Sequence, residues 1–176
     1  MKLFDQVVGA LNDPNRQASQ NQLNEIVSAV QQLANSQGAT SGTTEETLSV
    51  LGSYVRSALQ EKQVNEGYES TQALVNEYSG TGTNPQAVNS LFTTQQQADV
   101  ADAISRRTGI NAGTIRSLLP ILVPLVLNLL NTGTSTRNPR RGSNSVLNSF
   151  LDSDRDGDVD VADAVRLAGQ FLQGRV

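Results

Sequence analysis

Residues 118–130 form an apolar run broken only by Pro120, Pro124 and Asn128. A helix that is apolar on every side has no face to offer water, so it must be enclosed by other elements. The run has 13 residues, short of the roughly 20 that a spanning helix needs. It is therefore predicted to be a buried core helix, and no membrane span is expected. Each proline lacks an N–H and clashes with the carbonyl four residues back, so a kink or an early turn is expected. The carbonyls freed in this way could lie inside a bent core helix or serve self-association.

Helical spacing runs through the residues before it. Leu3, Phe4, Val7, Val8 and Leu11 mark one face of a short first helix, which Asp13-Pro14 ends. Leu23, Ile26, Val27, Val30 and Leu33 follow the i, i+3, i+4, i+7 pattern. The segment GATSG, 38–42, reads as a loop, and Thr43 with Glu46 has capping-box spacing. Leu48, Leu51, Val55 and Leu59 mark the next helix. Gly67 interrupts the pattern before Tyr68, Leu74, Val75 and Tyr78. SGTGTNP, 79–85, reads as a loop whose Pro85 opens a helix. Thr94 with Gln97 offers a second capping box ahead of Val100, Ala101 and Ile104, and Gly109 ends that helix. No β alternation appears, so the predicted class is all-α.

Leu, Ile, Val and Phe make up 46 of the 176 residues, enough for a small packed core. The chain has no Cys and no His. That excludes disulfide scaffolds, thiol catalysis and imidazole chemistry. The net charge of −4 argues against a general nucleic-acid or anionic-membrane binder. Asp5 and the polar residues from Asn12 onward leave no room for an apolar signal-peptide core, so a cytoplasmic location is expected.

After the apolar run the composition changes. Residues 132–145 carry no apolar side chain except Pro139 and include Arg137, Arg140 and Arg141. This stretch is predicted to be a flexible linker between a helical domain, 1–131, and a C-terminal module, 146–174. The module opens with Val146, Leu147, Phe150 and Leu151. Then comes DSDRDGDVDVAD, 152–163. Its spacing is that of an EF-hand calcium loop. Asp152, Asp154 and Asp156 take loop positions 1, 3 and 5, and Gly157 sits at position 6, where the backbone turns sharply. Asp158 would ligate through its carbonyl, Asp160 directly or through water, and Asp163 would close the loop. Val159 at position 8 supplies an inward apolar contact, and Val161, Val165, Leu167, Phe171 and Leu172 suit an exiting helix. Calcium is a hard cation that accepts 6–8 oxygens in flexible geometry, whereas magnesium demands a tighter octahedron. Without a cation, six aspartates against Arg155 would repel one another.

The loop resembles the EF-hand-like repeats of dockerins, which often use Asp at position 12. It departs from them in standing alone, and a single site suggests an affinity of roughly 10⁻⁶ to 10⁻³ M. Residues 1–131, and 88–130 most closely, resemble the bacterial YidB-like family of unknown function. The features that carry this are the amphipathic start from Leu3 to Leu11, the Thr108-Gly109-Ile110 turn, and Leu119-Pro120 followed by Pro124. The resemblance implies a small helical bundle and brings no catalytic residue.

A helix-turn-helix reading of ISRRTGINAGTI, 104–115, fails on physical grounds. Its second helix would run into the apolar segment and keep few polar side chains for base edges. No phosphate loop, dinucleotide fingerprint or nucleophile elbow is present. Asp99 and Asp102 lie three apart on a helix, the pattern of a polar face. The expectation is a non-enzymatic calcium-binding protein whose C-terminal module orders on binding calcium and so controls a protein partner. The alternative is a self-assembling structural protein whose subunit contacts calcium stabilises.

Overall fold

The computed structural model describes residues 8, 9, 12, 20–36, 41–80, 82–132, 146 and 147. All regular structure among them is helical. Six helices follow in order: α1 (Gln20–Ser36), α2 (Ser41–Glu66), α3 (Tyr68–Tyr78), α4 (Pro85–Leu91), α5 (Thr94–Thr108) and α6 (Ala112–Asn131). Most of the expected first helix lies outside the described residues, although Val8, Gly9 and Asn12 are helical.

Local chemistry explains most boundaries. Gly67 separates α2 from α3 at φ 91°, and Gly109 ends α5 at φ 77°. Both lie in the left-handed region, where a Cβ would be strained. Asn84 caps α4, its side chain accepting from the N–H groups of Gln86 and Ala87, with Pro85 in the first turn. Asn111 caps α6 by accepting from the Gly113 N–H at 2.7 Å.

Two expected boundaries move. The second capping box is Thr93 with Gln96, one residue before the expected pair. The Gln96 N–H donates to Thr93 Oγ1 at 3.2 Å, and the Thr93 N–H donates to Gln96 Oε1 at 2.9 Å. Phe92, 3% exposed and extended, ends α4 and fixes which threonine becomes the cap. The helix α2 begins at Ser41, inside the expected 38–42 loop. Thr43 therefore lies within the helix, where its carbonyl accepts from Thr47 Oγ1 at 2.8 Å, and it is not the N-cap.

The helix α6 is the hub of the bundle, in contact with each of the other five. Every residue from 122 to 130 is buried, as a stretch without a polar face requires. Around it lie Ile26 from α1, Leu51, Val55 and Leu59 from α2, and Leu74 and Val75 from α3. Val88 and Leu91 come from α4, and Val100, Ala101 and Ile104 from α5. Burying an aliphatic side chain of the size of Val or Leu contributes about 1.5–3 kcal/mol. The helix is 20 residues long and apolar enough to cross a membrane by length and composition. Here it packs at the centre of a bundle, the expected place for a core helix of that composition.

Val146 and Leu147 belong to the same buried cluster. Both are helical and both are 0% exposed. Successive helical residues point about 100° apart. A buried helix face is at least that wide, so both residues fall on one buried face of this short helical piece. Thr132, the first residue of the stretch read as a linker, is also 0% exposed.

Candidate functional site

The prolines of α6 supply the most specific internal geometry. Pro124 has no N–H to offer the carbonyl of Pro120, which would otherwise be its helical partner. The Asn84 N–H takes that carbonyl at 2.7 Å, and the Gly80 N–H reaches the Pro124 carbonyl at 3.3 Å. The segment between α3 and α4 is thereby fastened along α6. Asn84 serves twice, with its amide N–H on α6 and its side chain capping α4. The acceptor that Pro124 frees is thus used inside the chain and not for self-association.

Polar side chains secure the C-terminal half of α6. Gln22 Nε2 donates to Asn128 Oδ1 at 3.0 Å and reaches the Asn128 carbonyl at 3.5 Å. Asn128 is 7% exposed, so this amide pair joins α1 to α6 at little desolvation cost to either group. Asn131 Nδ2 donates to Ser79 Oγ at 3.1 Å. Thr132 Oγ1 donates to the Leu129 carbonyl at 2.7 Å, which satisfies a terminal acceptor of the helix. In the sequence Asn128 stands out only as an interruption of the apolar run. Nothing in local spacing could pair it with Gln22, 106 residues away.

Among the described residues Arg56 is the one charged side chain in the core, at 7% exposed, and Thr71 and Gln72 are fully buried on the neighbouring α3. Helical spacing alone did not mark these polar residues as inward-facing.

The expected metal ligands Asp152, Asp154, Asp156, Asp158, Asp160 and Asp163 lie outside the described residues. Among the described residues no group of three or more acidic side chains could hold a metal ion. The donor set of the sequence itself fits calcium, since it provides oxygen ligands alone, in alternation, about a glycine turn. What the structure adds lies before that loop in the chain. Leu147 is fixed in the core, five residues before Asp152.

Residues 6–132 match the profile of a family described as bacterial protein of unknown function, DUF937. The chain belongs to this family. The matched region takes in all six helices, and it ends at Thr132, the C-cap of α6. The DUF937 region is thus the bundle built around α6, and the aspartate loop lies beyond it. No curated protein and no solved structure matches the chain.

Proposed function

We propose that this chain is a non-enzymatic calcium-binding protein in which the DUF937 bundle carries a single EF-hand-like loop at residues 152–163. Calcium would be held by the carboxylates of Asp152, Asp154, Asp156, Asp160 and Asp163 and by the carbonyl of Asp158. Binding replaces mutual repulsion of the aspartates with shared attraction to one cation, which orders the loop and the apolar residues around it. Those residues, with Phe150, Leu151, Phe171 and Leu172 among them, would then meet a protein partner or a second copy of the chain. The observation that carries this reading is the order of the loop residues, with Gly157 at the turn and Val159 at the inward position.

The use of α6 within one chain favours this reading over self-assembly through that helix. Among the described residues Val64 is the one large apolar side chain left exposed. The test is calorimetric titration of chelator-stripped protein with calcium, and with magnesium as the control ion. One saturable calcium site with little magnesium response is expected. No saturation up to millimolar calcium would remove the loop assignment. Molecular mass measured with and without calcium separates the two partner classes, because an assembly component must grow when calcium binds.

A further inference from the structure

We infer that copies of this chain associate head to tail through charge, the arginine corner between α5 and α6 of one copy docking on the acidic junction of α2 and α3 of the next. The inference goes beyond the calcium reading and uses no residue of the aspartate loop.

Charge is segregated along the bundle. Residues 20–102 carry nine acids and two bases, Arg56 and Lys62, whereas residues 103–132 carry three arginines and no acid. Arg56 is buried, and Lys62 Nζ is engaged by Glu66 Oε2 at 3.0 Å. Among the described residues the exposed, unpaired positive charge is therefore that of Arg106, Arg107 and Arg116. All three fall within about two helical turns of Gly109. Helix chemistry accounts for two of them, since Arg106 and Arg107 stand in the last turn of α5, where the helix dipole favours a cation. It offers Arg116, in the N-terminal half of α6, nothing. Ile110 and Ala112 are only half-buried at the same corner, so apolar and basic side chains meet there.

The junction of α2 and α3 at Gly67 has the opposite character. Val64 is 85% exposed, the one large apolar side chain so placed among the described residues. Glu61 lies three residues before it on the same helix face, and Glu69 stands in the first turn of α3. Both carboxylates are exposed, and neither pairs with a base among the described residues. A single exposed valine is ordinary on a protein surface. Here it stands between two uncompensated carboxylates, the inverse of the α5–α6 corner.

A second copy of the chain fits this pair of surfaces. Contact of unlike corners brings opposite charges together, whereas contact of like corners sets them against each other. A contact between two different patches is heterologous and can continue from copy to copy. Exposed ion pairs are individually weak and are screened by salt, so the association is weak and favoured by low ionic strength.

The test is sedimentation equilibrium of the full chain in chelator, at low and at high salt. Mean mass should rise with protein concentration at low salt and return to that of the monomer at high salt. Two charge-reversal variants, Arg106→Glu with Arg107→Glu and Glu61→Lys with Glu69→Lys, alter exposed positions only. Each alone should associate at least about tenfold more weakly than the native chain. Mixed together they restore opposite charge at the contact and should associate with each other, which variants that merely failed to fold would not do. Val64→Ser should also weaken association. A native chain that stays monomeric at low salt, or one that grows only when calcium is added, overturns the inference. So does native-like association in the Glu61 and Glu69 variant, which would place the acidic partner of the arginines elsewhere, or a mixture that does not associate.

Discussion

Between residues 122 and 130 the chain carries no charge and every residue is buried, whereas between 152 and 163 it carries six aspartates and one arginine. The first region has nothing to offer water and is ordered by enclosure within one chain. The second is too charged to be enclosed without a counterion. In the proposed function its order is supplied by calcium. In that reading two parts of one small protein draw their order from different sources. It also sets what each part should respond to. The α6 region should respond chiefly to side-chain volume, and the loop chiefly to the ion.

The largest expected effect comes from breaking the first half of that contrast. Leu127 is 0% exposed, and Leu127→Ala should cost about 2–5 kcal/mol. Denaturant unfolding should show nearly the same loss with calcium and with chelator. A loss confined to one condition would mean that the bundle is not ordered by packing alone.

The second half is sharpened by Asp156→Ala. At calcium 100-fold above the native Kd, the native chain should gain about 2.7 kcal/mol over its chelated form. The variant should lose about half of that gain or more while its chelated stability holds or rises slightly, since one repelling charge is gone. Calorimetry should show calcium affinity weakened by at least about tenfold. A variant that still bound calcium normally would end the contrast.

Smaller effects test how α6 is delivered to the centre. Gly109 at φ 77° makes the turn from α5 into α6, and a Cβ at this position would meet open space. Gly109→Ala should therefore cost about 1–2 kcal/mol through backbone strain alone, seen as a lower denaturation midpoint with an unchanged slope. Thr93→Ala should cost about 1 kcal/mol by removing the cap of α5. Thr94→Ala, next to it, should stay within about 0.5 kcal/mol. Equal costs at the two positions would contradict the observed register of the capping box.

The threonine pair shows where sequence reading runs short. Thr93 with Gln96 and Thr94 with Gln97 satisfy the same local rule, so spacing could not choose between them. The choice falls to Phe92, whose burial ends α4 at a defined place. The α2 boundary moved for a related reason. Ser41 and Gly42 are weak helix formers, yet they continue a 26-residue helix that packs on all five of the others, and tertiary contact outweighs propensity. By contrast, Gly67, Gly109 and Pro85 were legible, because each has one dominant local use. The inward faces of α2 and α5 were legible too. Leu48, Leu51, Val55 and Leu59, and likewise Val100, Ala101 and Ile104, are all buried as their spacing required.

Of the candidate site, the sequence supplied the six aspartates and their order, and the structure supplied the burial of Val146 and Leu147 some residues before them. Val146 and Leu147 read equally well as the start of a separate module and as part of the bundle core. An apolar pair states that it must be buried and is silent about which core will bury it.

By itself, then, the sequence determined that the described residues are helical, that residues 118–130 must be enclosed, and that residues 152–163 carry alternating carboxylates about a glycine. These follow from periodicity, polarity and ligand type, which are local properties. Only the tertiary structure decided that α6 is enclosed by its own chain, that Asn84 takes the carbonyl freed by Pro124, that Gln22 meets Asn128, and that Val146 and Leu147 join the same core. Each of these joins residues far apart in sequence, and such pairings are selected by the packing of the whole bundle, which no local pattern records.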